Sequence, residues 1–256
     1  MTIQKIQNTN RINQTFTSAK KDENSNKLSV GRRIGIGATT ALGVGAALAG
    51  MAKLHKYPII PKDILKKPFK DTFLGKKEYF EKEIIAMAVG SCAGGLAGGA
   101  IFDKKENLPA KCRESVVQLA NAATPILFVG AGARLADKAT PKIKEFVKPM
   151  FKNIEMGAGV KKFLGATPKI AASLTGLAVG MYAGNRLSHL INTKLFGAKD
   201  DRPVALSDLC AHGDDLCEVA SFISTTNPVV HAASRFIPVA MLVPGIETGK
   251  AQEKAD

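Results

Sequence analysis

Charge in this 256-residue chain is segregated along the sequence, and that limits its fold more than any other feature. Stretches rich in Gly, Ala, Val and Leu alternate with Lys-rich connectors. A helix in a soluble domain keeps a wet face and carries charge along its length. A helix without charge needs apolar surroundings on every side. Five apolar stretches stand out: Ile34 to about Met51, Ile84 to Phe102, Ser115 to Ala133, Ile170 to Asn185, and Val219 to Gly245. The last is interrupted by Arg235 and broken by Pro228, Pro238 and Pro244. A hydrocarbon layer of about 30 Å takes roughly 20 helical residues, and these stretches sit at the short end of that range. The expected architecture is all-α, a multi-pass membrane helical bundle of four or five Gly/Ala-rich segments. A soluble helical protein with a Gly/Ala-rich core is the alternative for the same pattern.

Two stretches carry glycines at every fourth position. Gly90, Gly94 and Gly98 form one row, with Gly95 and Gly99 beside it, and Gly176, Gly180 and Gly184 form the second. The spacing puts each row on one helix face. Each glycine costs a helix about 1 kcal/mol relative to alanine, so six in two helices point to a setting that rewards close backbone approach. The first stretch has a weaker row of Gly37, Ala41, Gly45 and Ala49. Such rows mark contact faces, including faces for self-association, and carry no chemistry of their own.

The net charge of +14, from 36 Lys plus Arg against 22 Asp plus Glu, calls for an anionic partner. Nucleic-acid modules interleave basic residues with aromatics that stack on bases. This chain has no Trp and three Tyr, so the partner is read as a bilayer with anionic headgroups and not nucleic acid. Residues 1–31 form a polar, basic tail without the apolar run of a signal peptide and with too little apolar surface to order itself. Residues 32–256 are taken as the membrane helical domain.

The connectors hint at duplication. Pro61-Lys62 and Lys67-Pro68-Phe69-Lys70 are echoed by Pro141-Lys142 and Lys148-Pro149-Met150-Phe151-Lys152. Val89-Gly90-Ser91-Cys92-Ala93-Gly94 is echoed by Val179-Gly180-Met181-Tyr182-Ala183-Gly184. The two units would cover 34–102 and 115–185. Connectors 52–83 and 134–169 hold nine Lys or Arg each, whereas 103–114 and 186–218 hold four each. Placing the two richer connectors in the cytoplasm leaves the basic tail outside if every stretch crosses. A first stretch that forms a re-entrant or interfacial hairpin removes this conflict, and the connector prolines are expected to limit helix there.

Candidate chemistry is sparse. Cys210, His212, Asp214 and Cys217, in the acidic loop 193–218, are donor types for zinc or a disulfide, but a second knuckle is missing and the segment reads as a solvated loop. His231 and Arg235, four residues apart on one face of the broken segment 219–245, are the candidate polar transport site. Pro61-Lys62-Asp63-Ile64-Leu65-Lys66 resembles the P-x-[DE]-x-x-[KR] signature of mitochondrial carriers, but Pro141-Lys142-Ile143 lacks the acid at the matching position, so the resemblance carries no assignment. Phosphate-loop, nucleophile-elbow and H-E-x-x-H motifs are absent. No cofactor and no catalysis are expected. The leading expectation is a helix-packing or self-associating membrane component, ahead of a channel or transporter and of a secreted membrane-inserting effector.

Overall fold

The computed structural model describes residues 28–57, 79, 81–147, 158–197 and 236–252. Among them every regular element is helical: α1 (Val30–Leu54), α2 (Glu81–Phe102), α3 (Leu108–Val147), α4 (Ala158–Phe196), α5 (Ile237–Ala240) and α6 (Leu242–Lys250). A 3-10 turn over Lys105–Asn107 joins α2 to α3.

The first stretch is one unbroken helix of 25 residues, not a hairpin. A hairpin needs a turn, and no proline interrupts residues 30–54. The polar groups within it are satisfied locally, since the Thr39 and Thr40 hydroxyls donate to the Ile36 carbonyl at 2.9 and 2.8 Å. Two of the connector prolines, Pro141 and Pro168, also fail to stop the helices, and Pro58, Pro61, Pro68 and Pro149 lie outside the described residues. Helix α3 has 40 residues and runs through Pro125 and Pro141, and α4 has 39 and runs through Pro168. Each proline removes one i→i−4 hydrogen bond, which a long, well-packed helix tolerates. Residues 134–147 therefore belong to α3 and 158–169 to α4. At 1.5 Å per residue, each helix is about 60 Å long.

Glycines set the packing. Helices α1 and α2 run antiparallel, with Gly90 against the Gly43 carbonyl, Gly94 against that of Thr39, and Gly98 against Ile36 and Thr39. A Cβ at Gly90 would stand 2.5 Å from the Gly43 oxygen. The second row of α2, Gly95 and Gly99, receives the parallel helix α6 through Gly245 and Gly249. The Gly245 N–H donates to Ser91 Oγ at 2.9 Å across this contact. In the antiparallel pair α3 and α4, Gly176 meets the Phe128 carbonyl, a Cβ at Gly180 would lie 2.6 Å from Pro125 Cα, and Gly184 faces Ala120 and Thr124 at looser spacing. Both glycine rows thus face helices of the same chain. On α1 the contact runs through Ile36, Thr39, Gly43 and Ala47 rather than the expected Gly37, Ala41, Gly45 and Ala49 row; Gly37 and Gly45 look onto open space.

Among the described residues, three helical segments are long and apolar enough to cross a membrane: Val30–Leu54, Glu81–Phe102 and Lys105–Ile143. Helix α4 is not among them. Residues 34–52, 84–102 and 115–133 are each nineteen residues without Asp, Glu, Lys or Arg, about 28 Å of helix. Polar and charged pairs join neighbouring helices at both edges of these windows. At the lower edge, where α1 begins, Asp103 meets Lys111 at 2.8 Å and Arg32 at 3.9 Å. At the upper edge, His55 meets Glu83 at 3.0 Å, and Glu81 pairs with Arg134. Val44, Ala52, Ile84, Met87, Ala122, Ile126, Ile237 and Met241 form the core between the edges. Ile34, Leu42, Val89, Ile101 and Leu127 point outward, Leu42 at 73% exposure.

The glycine contacts predict opposite effects for one substitution at two sites. Gly94→Ala puts a methyl group onto the Thr39 carbonyl and should destabilise by about 1–3 kcal/mol. Gly45→Ala meets nothing and should stabilise by up to about 1 kcal/mol through helix propensity. Reversible unfolding in mixed micelles titrated with dodecyl sulfate measures both, and equal losses would contradict the packing of α1.

Candidate functional site

Two polar assemblies lie at the edges of the apolar layer. The upper one surrounds a cavity of about 620 Å³. Met51, Leu54 and His55 reach it from the end of α1, and Tyr79 from just ahead of α2. Glu81, Lys82 and Glu83 come from the first turn of α2, and Arg134 from α3. Carboxylates suit that first turn because the unpaired N–H groups of a helix N-terminus favour negative charge. Glu83 has a side chain only 2% exposed and accepts from His55 Nε2. Glu81 pairs with Arg134, and Gly130 leaves room for it: a Cβ there would overlap the Glu81 carboxylate. Burial pushes the Tyr79 phenol above its ordinary value, and the Glu83 carboxylate adds to the shift, so the hydroxyl remains protonated at neutral pH.

This wall presents both signs of charge beside an apolar lip formed by Met51 and Leu54. Among the described residues no group of three His, Cys, Asp or Glu side chains could hold a metal ion. The arrangement suits binding of a polar group and does not place a nucleophile beside a base.

The lower assembly is a latch. The Lys111 ammonium, completely buried, donates to Asp103 Oδ2 at 2.8 Å and to the carbonyls of Gly249 at 2.7 Å and Ala251 at 2.8 Å. Its three donors match these three acceptors. Two of the acceptors close the C-terminal turn of α6, where carbonyls lack helical partners and a cation is favourable. Asn107 Nδ2 donates to Asp103 at 3.0 Å. Burial alone would raise the Asp103 pKa. Hydrogen bonds from Lys111, the Lys104 backbone N–H and Asn107, with the Lys111 charge, outweigh it and hold the carboxyl below the usual aspartate value.

The sequence candidates fall elsewhere. His231 and Arg235, as well as Cys210, His212, Asp214 and Cys217, lie outside the described residues, as does the Pro61–Lys66 segment. Cys92 and Cys112 are free thiols. Glu81, Glu83, Asp103, Lys111 and Arg134 were not anticipated as sites. The available signal was acid placed at the boundary of an uncharged window, as with Glu83 before Ile84 and Asp103 after Phe102.

Comparison with protein-family models, curated proteins and solved structures finds no match for the chain.

The latch predicts a pH dependence. Folding lowers the Asp103 pKa from its ordinary 3.8, so the native state binds fewer protons than the unfolded chain. The resulting stability is present above that value and disappears as pH falls through the depressed native value. Asp103→Asn should cost about 1.5–3 kcal/mol at pH 7, the usual worth of a hydrogen bond to a charged group. Melting curves in detergent should show the gap between wild type and variant closing below about pH 4; a gap independent of pH would refute this.

Proposed function

We propose that the chain is a multi-pass integral membrane protein, a helix-packing component without catalytic activity. The observation that carries the reading is the register of the three nineteen-residue uncharged windows, bounded above and below by ion pairs between neighbouring helices. The matched thickness is about that of a hydrocarbon layer, and the side chains facing outward from it are apolar. A soluble bundle would gain by burying Ile34, Leu42, Val89 and Ile101.

In this reading α4 is a fourth span. Its uncharged stretch, 170–185, is shorter. Lys169 pairs with Asp137 at 3.1 Å at one end, and Ser188 Oγ bonds Asn121 Oδ1 at 2.6 Å at the other. Helices α5 and α6 form a broken fifth segment, with α6 packed against α1, α2 and α3. Two antiparallel pairs, each closed by a three-glycine row on its second helix, support a duplicated unit over 34–102 and 115–185. Exposed Arg32, Arg33, Lys104 and Lys105 at the lower edge suit anionic headgroups. Because both glycine rows are occupied within the chain, self-association would use the outward apolar faces.

Alkaline-carbonate extraction of membranes from cells expressing the full chain tests the reading. The protein should remain in the membrane pellet. Recovery in the supernatant would mean that the glycine rows close a soluble bundle instead.

A further inference from the structure

The upper cavity lies where α1 leaves its uncharged window and α2 enters its own, at Lys53 and Glu83 respectively. If the bundle spans a bilayer as proposed above, this level is the boundary between hydrocarbon and headgroups. The cavity has three kinds of wall. Glu81 and Glu83 supply carboxylates, Arg134 and Lys82 supply cations, and Met51 and Leu54 form an apolar lip. Leu54 is 77% exposed, so the lip opens outward.

A ligand matching all three walls carries a cation, an anion and a hydrocarbon tail. We propose that the cavity binds a phospholipid with an ethanolamine headgroup. The primary ammonium sits against Glu81, whose side chain is 28% exposed, the phosphate against Arg134 and Lys82, and the acyl chains run over Met51 and Leu54. The volume of about 620 Å³ falls within the ordinary range for small-ligand sites.

The ion pairs already present do not close the site. A carboxylate offers about four lone-pair positions, and a guanidinium five N–H donors, so each can serve its partner and a ligand together. The same walls discriminate among lipids. A quaternary choline has no N–H to donate and is held by aromatic cages, whereas among the described lining residues Tyr79 is the one Phe, Tyr or Trp side chain. A glycerol headgroup brings no cation to the carboxylate wall and leaves that part of the site unfilled.

The test uses the full-length protein in detergent, mixed in turn with ethanolamine, choline and glycerol phospholipids of the same acyl composition, and read by native mass spectrometry. The ethanolamine lipid should be retained about tenfold better than either competitor, the ratio expected from one charge-assisted hydrogen bond. Glu81→Gln should reduce that preference, and Lys82→Glu, at an exposed position, should lower retention while leaving the melting temperature unchanged. Equal retention of the three lipids by the wild-type protein overturns the assignment, as does undiminished retention of the ethanolamine lipid by a folded Lys82→Glu variant. The inference and the spanning reading fail separately. A carbonate-resistant protein without headgroup preference overturns the cavity assignment alone, and a carbonate-extracted protein that keeps the preference overturns only the spanning reading.

Discussion

The whole bundle depends on α2 being approached by two other backbones at once. Residues at 90, 94 and 98 and residues at 91, 95 and 99 lie on rows about 100° apart around a helix. The first row receives α1 and the second receives α6. Side chains larger than glycine along either row would hold the neighbour off. The contacts that replace side-chain interdigitation are van der Waals contact and weak Cα–H···O interactions, each small but repeated along the interface. They cost no backbone hydrogen bonds, because a helix satisfies its own polar groups internally. That explains why such a glycine-rich segment is helical at all: the propensity lost at each glycine is offset by close approach to a neighbour.

Bringing α6 into the bundle creates a second requirement, since its last carbonyls end inside the protein. Lys111 meets it. A buried ammonium is expensive when incompletely solvated, and here every donor has an acceptor, two from the main chain and one from Asp103. The latch is therefore both the termination of α6 and the reason that Asp103 can be buried. The glycine contact and the ion pair are linked through geometry: Gly99 leaves the space that the Lys111 side chain crosses.

Charge segregation made the helical class and the apolar windows legible, because it is a local property that every residue in a window shares. The i,i+4 glycine rows were legible for the same reason. The partner face of α1 was not. Gly37, Ala41, Gly45 and Ala49 have the same spacing as a contact row, and only the position of α2 selects Gly43 instead. The prolines misled in the opposite direction, because a local rule about helix breaking was overridden in α3 and α4 by long flanking helix. The polar sites were least visible. Lys111 and Gly249 are 138 residues apart, and Glu81 and Arg134 are 53 apart, so no window of sequence contains either pair.

The two edges use the same chemistry to different ends. At the lower edge the charges are closed in by the C-terminal turn of α6, and main-chain carbonyls saturate the buried cation. At the upper edge, among the described residues, Glu81 and Arg134 stay partly exposed and line a void beside an apolar lip. A closed pair contributes to stability and to the angle at which helices meet. An open pair retains acceptor and donor capacity toward a third molecule. The same antiparallel packing that aligns the apolar windows therefore also separates a structural edge from a binding-competent one, and the difference arises from which edge the last helix reaches.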